Sequence, residues 1–259
     1  IRTITLGPAH EGLAPMQLGV GAGIVLDSLA ADERAECRLK ARFLTGLDPG
    51  FALIETMRCA LGGQVRLWDR HMARLARSAA QLGFGFDEAA LRRGFDALRP
   101  ALATDGDSRV RLALRHDGHV EWQHAPLAPL PAGPVQLCWA DERLAPHQPL
   151  AAHKTSARAV YDRGIRAAEA EGAFDSLFLR EDGVLVEGGR SSVFVKLGGR
   201  WWTPPLTDGA LPGVMRAELL ADPTWGAAER SLTREDVESA EDLMVCNALR
   251  GALPAAVRT

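Results

Sequence analysis

Residues 183–195 read GVLVEGGRSSVFV, and this stretch decides the fold class. Valine-rich segments on both sides of Gly188-Gly189 predict strands meeting at a turn. Glu187 stands immediately before the glycines, inside an otherwise apolar, strand-rich region. A carboxylate there either faces water at the turn or, if buried, needs a cationic partner.

Working outward, DSLFLRED (175–182) and SSVFVKLGGRWWTPPL (191–206) extend the β-rich region. Upstream lie a strand, VQLCWA (135–140), a loop with His153 and Lys154, and a helix, ARAVYDRGIRAAEAEG (157–172). Downstream, Pro212-Gly213 opens a short helix, VMRAELL, and a final strand, EDLMVCNAL (241–249), runs into a turn. The run APLAPLPAGP (125–134) is too rich in proline for a helix or a central strand and reads as a connector. Before it, FALIETMRC (51–59) and GQVRL (63–67) read as a strand pair. WDRHMARLARSAAQLGF (68–84) and DEAALRRGFDAL (87–98) read as helices, and SRVRLALRHDGHVEWQ (108–123) as a hairpin turning at Asp117-Gly118. Mixed strands and helices in two halves predict an α/β (α+β) protein with a ligand in the crevice between the halves.

Residues 1–46 differ in character. IRTITL alternates like a strand, GVGAGIVLDS (19–28) reads as a glycine-rich turn entering an apolar strand, and Asp32 is placed to cap the helix DERAECRLKARFL. The expected divisions are 1–46, a small domain at 47–128, a connector at 129–136 and a larger domain at 137–259. The sequence opens on Ile1 and not Met, so it reads as a fragment, a processed product or a renumbered piece.

A net charge of -3 gives no reason to expect a nucleic-acid or membrane-surface partner. No apolar run is long enough to span a bilayer, so a cytoplasmic protein is the default. Cys37, Cys59, Cys138 and Cys246 lack metal spacing and read as buried reduced thiols.

Several residues suit an anionic ligand. A helix start at Pro212-Gly213 would present the N–H groups of Val214 and Met215 to a phosphate. The turn in CNALRG offers backbone donors at Asn247 and Ala248. Arg74 is either a charge-assisted phosphate contact or a salt-bridged arginine on a helix surface.

Taken in order, ETMR, DRHMARLARSA, HKTSAR, DGVLVEGGRSSVF, TPPL-x-x-GALPGVMR and VCNAL-x-x-x-LP resemble the fold-type IV pyridoxal 5′-phosphate enzymes, the class IV aminotransferase family. The resemblance implies two α/β domains with the cofactor at their interface, usually in a homodimer. It implies that Lys154 carries the cofactor as a Schiff base, that Glu187 partners the pyridine nitrogen, and that Arg74 meets the phosphate. Val214 and Met215, then Asn247 and Ala248, match the backbone donors on the phosphate side. Thr56, Asn247 and GVMR lean toward the 4-amino-4-deoxychorismate lyases, in which a threonine at the place of Thr56 helps move protons. A lyase would convert 4-amino-4-deoxychorismate to 4-aminobenzoate and pyruvate, in folate biosynthesis. A D-amino-acid or branched-chain aminotransferase is the alternative, and a non-catalytic remnant a third.

RHDGH is shorter than the glycine- and arginine-containing loop of those lyases. Arg115, with His116 and His119, and Asn247 are therefore the substrate-side candidates, or simply hairpin polar groups in the case of the first three. IRT, GVGAGIVLDS and Glu33, Glu36 and Lys40 resemble the C-terminal end of aminodeoxychorismate synthase component I. That implies a fused synthase and lyase, and a full synthase domain would bring a glutamine amidotransferase partner. No metal ligand is expected to function in this chain.

Overall fold

The computed structural model describes residues 2–8, 16–45, 48–102 and 105–258. Two compact units divide the chain, Ile1–Gly50 and Phe51–Thr259.

In the first unit, β1 (Arg2–Leu6) and β2 (Met16–Val20) pair antiparallel, Arg2 opposite Val20, and α1 spans Ala30–Thr45. Asp32, expected as the cap, lies inside the first turn of α1, because Asp32 N already bonds Leu29 O and the helix has begun. The apolar strand expected after the glycines is absent. Ile24, Val25 and Leu26 are exposed and find no strand partner among the described residues.

The second unit begins with β3 (Leu53–Cys59), α2 (Trp68–Leu82), α3 (Glu88–Leu98), β4 (Ser108–Leu114) and β5 (Val120–Pro126). The three strands form one antiparallel sheet in the order β3-β4-β5, with Thr56 opposite Arg111. Side chains alternate across it. Leu53, Met57, Val110, Leu112 and Leu114 pack under α2 and α3, while Thr56 and Arg111 face the other way and line a cleft. The expected pairing of β3 with GQVRL reduces to one bridge, Cys59 with Val65. β4 matches all seven residues of β3, and Leu67 already turns the chain into α2 with φ +64°.

Helix α2 carries two buried stripes at helical spacing. Met72, Leu75 and Ala79 join the apolar core, and His71, Arg74 and Ser78 form a polar stripe beside it. Gly83, left-handed at φ 76°, closes the helix by donating to Ala79 O.

The remaining elements are β6 (Val135–Trp139), α4 (Ala159–Ala170), β7 (Asp175–Leu179), β8 (Val184–Gly188), β9 (Ser192–Leu197) and β10 (Arg200–Thr203). Then come α5 (Val214–Ala221), β11 (Ala228–Glu229), β12 (Leu232–Thr233), α6 (Arg234–Glu238), β13 (Asp242–Asn247) and β14 (Gly251–Val257). They build a nine-stranded mixed sheet in the order β11-β10-β9-β13-β14-β6-β7-β8-β12. The sequence predicts a turn after β13, but the chain continues as β14, antiparallel to β13 and, from Ala255, parallel to β6. Pro254 is tolerated since β14 meets β6 only from Ala255 onward, so no ladder bond to β6 is lost at the proline.

α4 lies on β7 at close range. A Cβ on Gly164 would come 2.5 Å from Cζ of Phe178, which is fully buried. Overpacking of this kind costs about 1–3 kcal/mol, against about 1 kcal/mol of helix propensity gained. Gly164→Ala is therefore expected to lower the melting temperature, and a thermal scan showing a rise would contradict this packing.

All four cysteines are free. Cys59 and Cys246 are buried as expected, whereas Cys37 and Cys138 are only half-buried. Among the described residues no helix is long and apolar enough to cross a membrane.

Candidate active site

The protein has three lysines, Lys40, Lys154 and Lys196. Lys40 pairs with Glu36 at 2.6 Å and Lys196 with Asp242 at 3.0 Å. Lys154 alone lines the cavity of the second unit, a space of about 420 Å³.

The loop bearing Lys154 is tied to the first half of the unit by its backbone. Ile54 N donates to Lys154 O at 2.8 Å and Ser156 N donates to Ala52 O at 2.8 Å. Ala52 N donates to Ser156 Oγ at 2.9 Å, and His153 Nδ1 lies 3.0 Å from Ser78 Oγ on α2. Burial, then the charges of Arg74 and Arg158, lower the Lys154 amine to about 8, although Glu55 and Glu187 pull the other way. An amine so placed is uncharged far more often than a surface lysine and is a usable base.

Glu187, at the end of β8, faces the same cavity and is 8% exposed. Its Oε2 accepts from Leu211 N at 3.1 Å, and the Tyr161 hydroxyl donates to it from α4. Burial pushes the carboxyl up to about 7 despite these bonds and the nearby charges of Lys154 and Arg158. Such a group gains most from a cation brought against it.

A third corner suits an anion. Gly213 precedes α5 and no side chain caps the helix start, so the N–H groups of Val214 and Met215 are free to meet a negative group. A Cβ on Gly213 would come 2.7 Å from Ser192 Oγ and 3.2 Å from Arg216 Cβ, so a side chain here would crowd the helix start. Asn247 and Ala248 line the same cavity. The Asn247 amide shapes their turn, donating to Arg190 O at 3.2 Å and accepting from Arg250 N at 2.8 Å.

Arg74 is buried and not on a helix surface. Its Nε and Nη2 donate to the two oxygens of Glu55 at 2.8 and 2.5 Å, and its Nη1 donates to Pro212 O at 3.1 Å. His71 Nδ1 lies 2.6 Å from the same Glu55 carboxylate. Although burial opposes ionisation, Arg74 and then His71 hold Glu55 down to about 2. Arg70 adds an ion pair to Glu218 of α5 at 2.7 Å.

The cavity thus collects Thr56, Arg74, Lys154 and Glu187, and with them Val214, Met215, Asn247 and Ala248. Arg115 is not among its lining residues. It is exposed, pairs with Glu121 at 3.3 Å, and sits at the hairpin end of β4, about 13 Å of strand beyond Arg111. His116 packs edge-on against Phe84. The cavity residues that sequence reading passed over are Arg109, Arg111, Arg158 and Tyr161. Arg109 and Arg111 were legible in RVRLALR, where arginine alternates with apolar residues.

A model of the family described as amino-transferase class IV matches residues 52–257. The chain belongs to the class IV aminotransferase family. Members of this family depend on pyridoxal phosphate, and this chain is an enzyme of that kind. Among solved structures, one from Mesorhizobium loti named "Putative amino-acid aminotransferase" is 38% identical, with a TM-score of 0.73. It covers 80% of this chain and 100% of its own. The 4-amino-4-deoxychorismate lyase from Pseudomonas aeruginosa is 28% identical with a TM-score of 0.64, covering 80% of this chain and 82% of its own. A Schizosaccharomyces pombe (strain 972 / ATCC 24843) protein named "Putative aminodeoxychorismate lyase" is 27% identical over 192 residues, 73% of this chain and 82% of its own. The mixed α/β fold of the chain is that of the fold-type IV enzymes.

The residues present fit the cofactor. An amine and a buried carboxylate in want of a cation line one cavity, beside an uncapped helix start that a Cβ on Gly213 would crowd.

Proposed function

We propose that this enzyme is a 4-amino-4-deoxychorismate lyase, splitting its substrate into 4-aminobenzoate and pyruvate. One observation carries the proposal: Arg109 and Arg111 line the cavity that holds Lys154, with Thr56 directly across the ladder from Arg111. Two guanidinium groups beside the reacting amine suit a small substrate with two carboxylates. The names of the Pseudomonas aeruginosa and Schizosaccharomyces pombe relatives support the same reading.

In this reading Lys154 would hold the cofactor, Glu187 would partner its ring nitrogen, and Arg74 with the backbone donors of Val214, Met215, Asn247 and Ala248 would hold the phosphate. Bound there, pyridoxal phosphate supplies an electron sink for the carbon that loses a proton. Lys154 would be the base that takes that proton from the amine-bearing ring carbon. Arg109 and Arg111 orient the substrate carboxylates so that this carbon faces Lys154. Thr56 would relay that proton from Lys154 to the enolpyruvyl oxygen as its bond to the ring breaks, and the ring left behind would become aromatic.

A cytoplasmic homodimer belongs to the same proposal, as do domains at 47–128 and 137–259. So does a synthase-like segment at residues 1–46. Support for the last is the placing of Glu33, Glu36 and Lys40 on α1, where Lys40 also reaches Gly21 O at 3.0 Å.

The 38% identity to a structure named as an amino-acid aminotransferase favours a second reading, in which the same residues return the proton elsewhere. Product analysis separates the two. With aminodeoxychorismate the purified protein is expected to release 4-aminobenzoate and pyruvate in equal amounts. Arg111→Met is expected to raise KM about tenfold or more, the worth of one charge-assisted contact. Rapid transfer from an amino acid to 2-oxoglutarate, with no 4-aminobenzoate formed, would assign the aminotransferase instead.

A further inference from the structure

Glu55 and His71 perform none of the steps above, yet they are 1% and 0% exposed. Burying a carboxylate costs several kcal/mol unless it is well paired, so the arrangement calls for a physical reason. Glu55 takes both Nε and Nη2 of Arg74. His71 stands three residues before Arg74, on the same face of α2, and its Nδ1 meets the same carboxylate at 2.6 Å. Its Nε2 is buried with no partner among the described residues. Among the described residues the contact with Glu55 is thus the one polar bond of this ring.

Arginine has five N–H groups. Two go to Glu55 and one to Pro212 O, which leaves one on each terminal nitrogen. Pro212 lies just ahead of Gly213 and the start of α5, so Arg74 is tied at one edge to β3 and at the other to the helix start.

We propose that Glu55 and His71 are positioning residues for the phosphate end of the site, clamping Arg74 so that its two remaining N–H groups meet the phosphate together with the first donors of α5. Binding then costs little ordering of a long side chain, the usual gain from preorganisation. Removing the negative charge of Glu55 would, by charge alone, make the corner more attractive to phosphate. Positioning predicts the opposite sign.

The inference rests on Arg74 meeting the phosphate, and the test keeps the two apart. Cofactor-free protein is titrated with pyridoxal phosphate and, separately, with pyridoxal, which lacks the phosphate, following the visible absorbance. Glu55→Gln and His71→Leu are each expected to weaken pyridoxal phosphate about 10- to 100-fold, the usual cost of losing a supporting partner behind a ligand. Pyridoxal affinity should stay within about twofold of the parent in His71→Leu, which leaves the amine and ring sites untouched. Glu55→Gln also removes a charge that acts on the Lys154 amine, so there the ratio of the two affinities is the readout. His71→Asn, which keeps a donor near the place of Nδ1, is expected to restore most of the loss. Unchanged or tighter phosphate binding in Glu55→Gln and His71→Leu, with only a lower melting temperature, overturns the proposal. If Glu55→Gln does not fold, the contrast between His71→Leu and His71→Asn decides alone. Arg74→Met is the separate control. Should it leave the preference for pyridoxal phosphate intact, the phosphate role of Arg74 fails, and this inference with it.

Discussion

Lys154→Ala is expected to lower release of 4-aminobenzoate by about 10³-fold or more, the scale on which enzymes lose a positioned base that also holds their cofactor. Neither other lysine lines the cavity, and both are held in ion pairs. Stability should not fall with activity. The amine stands at about 8 in the folded chain against an ordinary 10.5. Its contribution to stability is therefore complete above 10.5 and lost as pH falls through about 8. At neutral pH the cofactor-free alanine variant should melt no lower than its parent. Product release within tenfold of the parent, with the visible cofactor band intact, would remove Lys154 from the chemistry.

Glu187→Gln is expected to cost about 10²–10³-fold in turnover, comparable to losing one preorganised electrostatic group from an active site. It should also change how the empty protein responds to pH. The folded carboxyl stands at about 7 and its ordinary value is 4.5. The contribution it makes to stability is complete below 4.5 and is lost as pH rises through about 7, a span worth about 3 kcal/mol at most. Glutamine does not titrate, so this loss should disappear. Cofactor-free parent and variant should melt alike near pH 4.5, and the variant should melt higher by pH 8. Pyridoxal phosphate should then stabilise the parent more than the variant. Parallel melting curves across that range would show that Glu187 ionises without penalty, and so does not need a cation.

Both groups were legible in the sequence because each sits in an ordered motif with a backbone reason for its form. HKTSAR is a loop between a strand and a helix, and VEGG puts a carboxylate at the close of a strand. Other parts were hidden for physical reasons. Arg109 and Arg111 belong to a strand whose alternation was visible, but which face of β4 meets the cavity depends on its pairing with β3. Arg115 was the candidate because RHDGH stands where the lyases carry a glycine- and arginine-containing loop, but it lies outside the cavity lining, at the hairpin end of β4. Glu55 and His71 come together across 16 residues and two elements; neither spacing nor composition marks such a pair. β14 stands where a turn was expected, because its strand form comes from pairing with β13 and with the sequence-distant β6.

The two-faced sheet formed by β3, β4 and β5 has a consequence for how such an enzyme can diverge. Neighbouring residues in β4 serve different masters: Val110 and Leu112 hold the interior, Arg109 and Arg111 line the cavity. Exchanges at every second position can therefore redraw substrate preference while leaving the grip on the cofactor alone. Inserting or deleting one residue in the same strand would invert the whole set, driving arginines inward and aliphatic groups into the cavity. Relatives with new substrates should thus differ in β4 by its letters and not by its length.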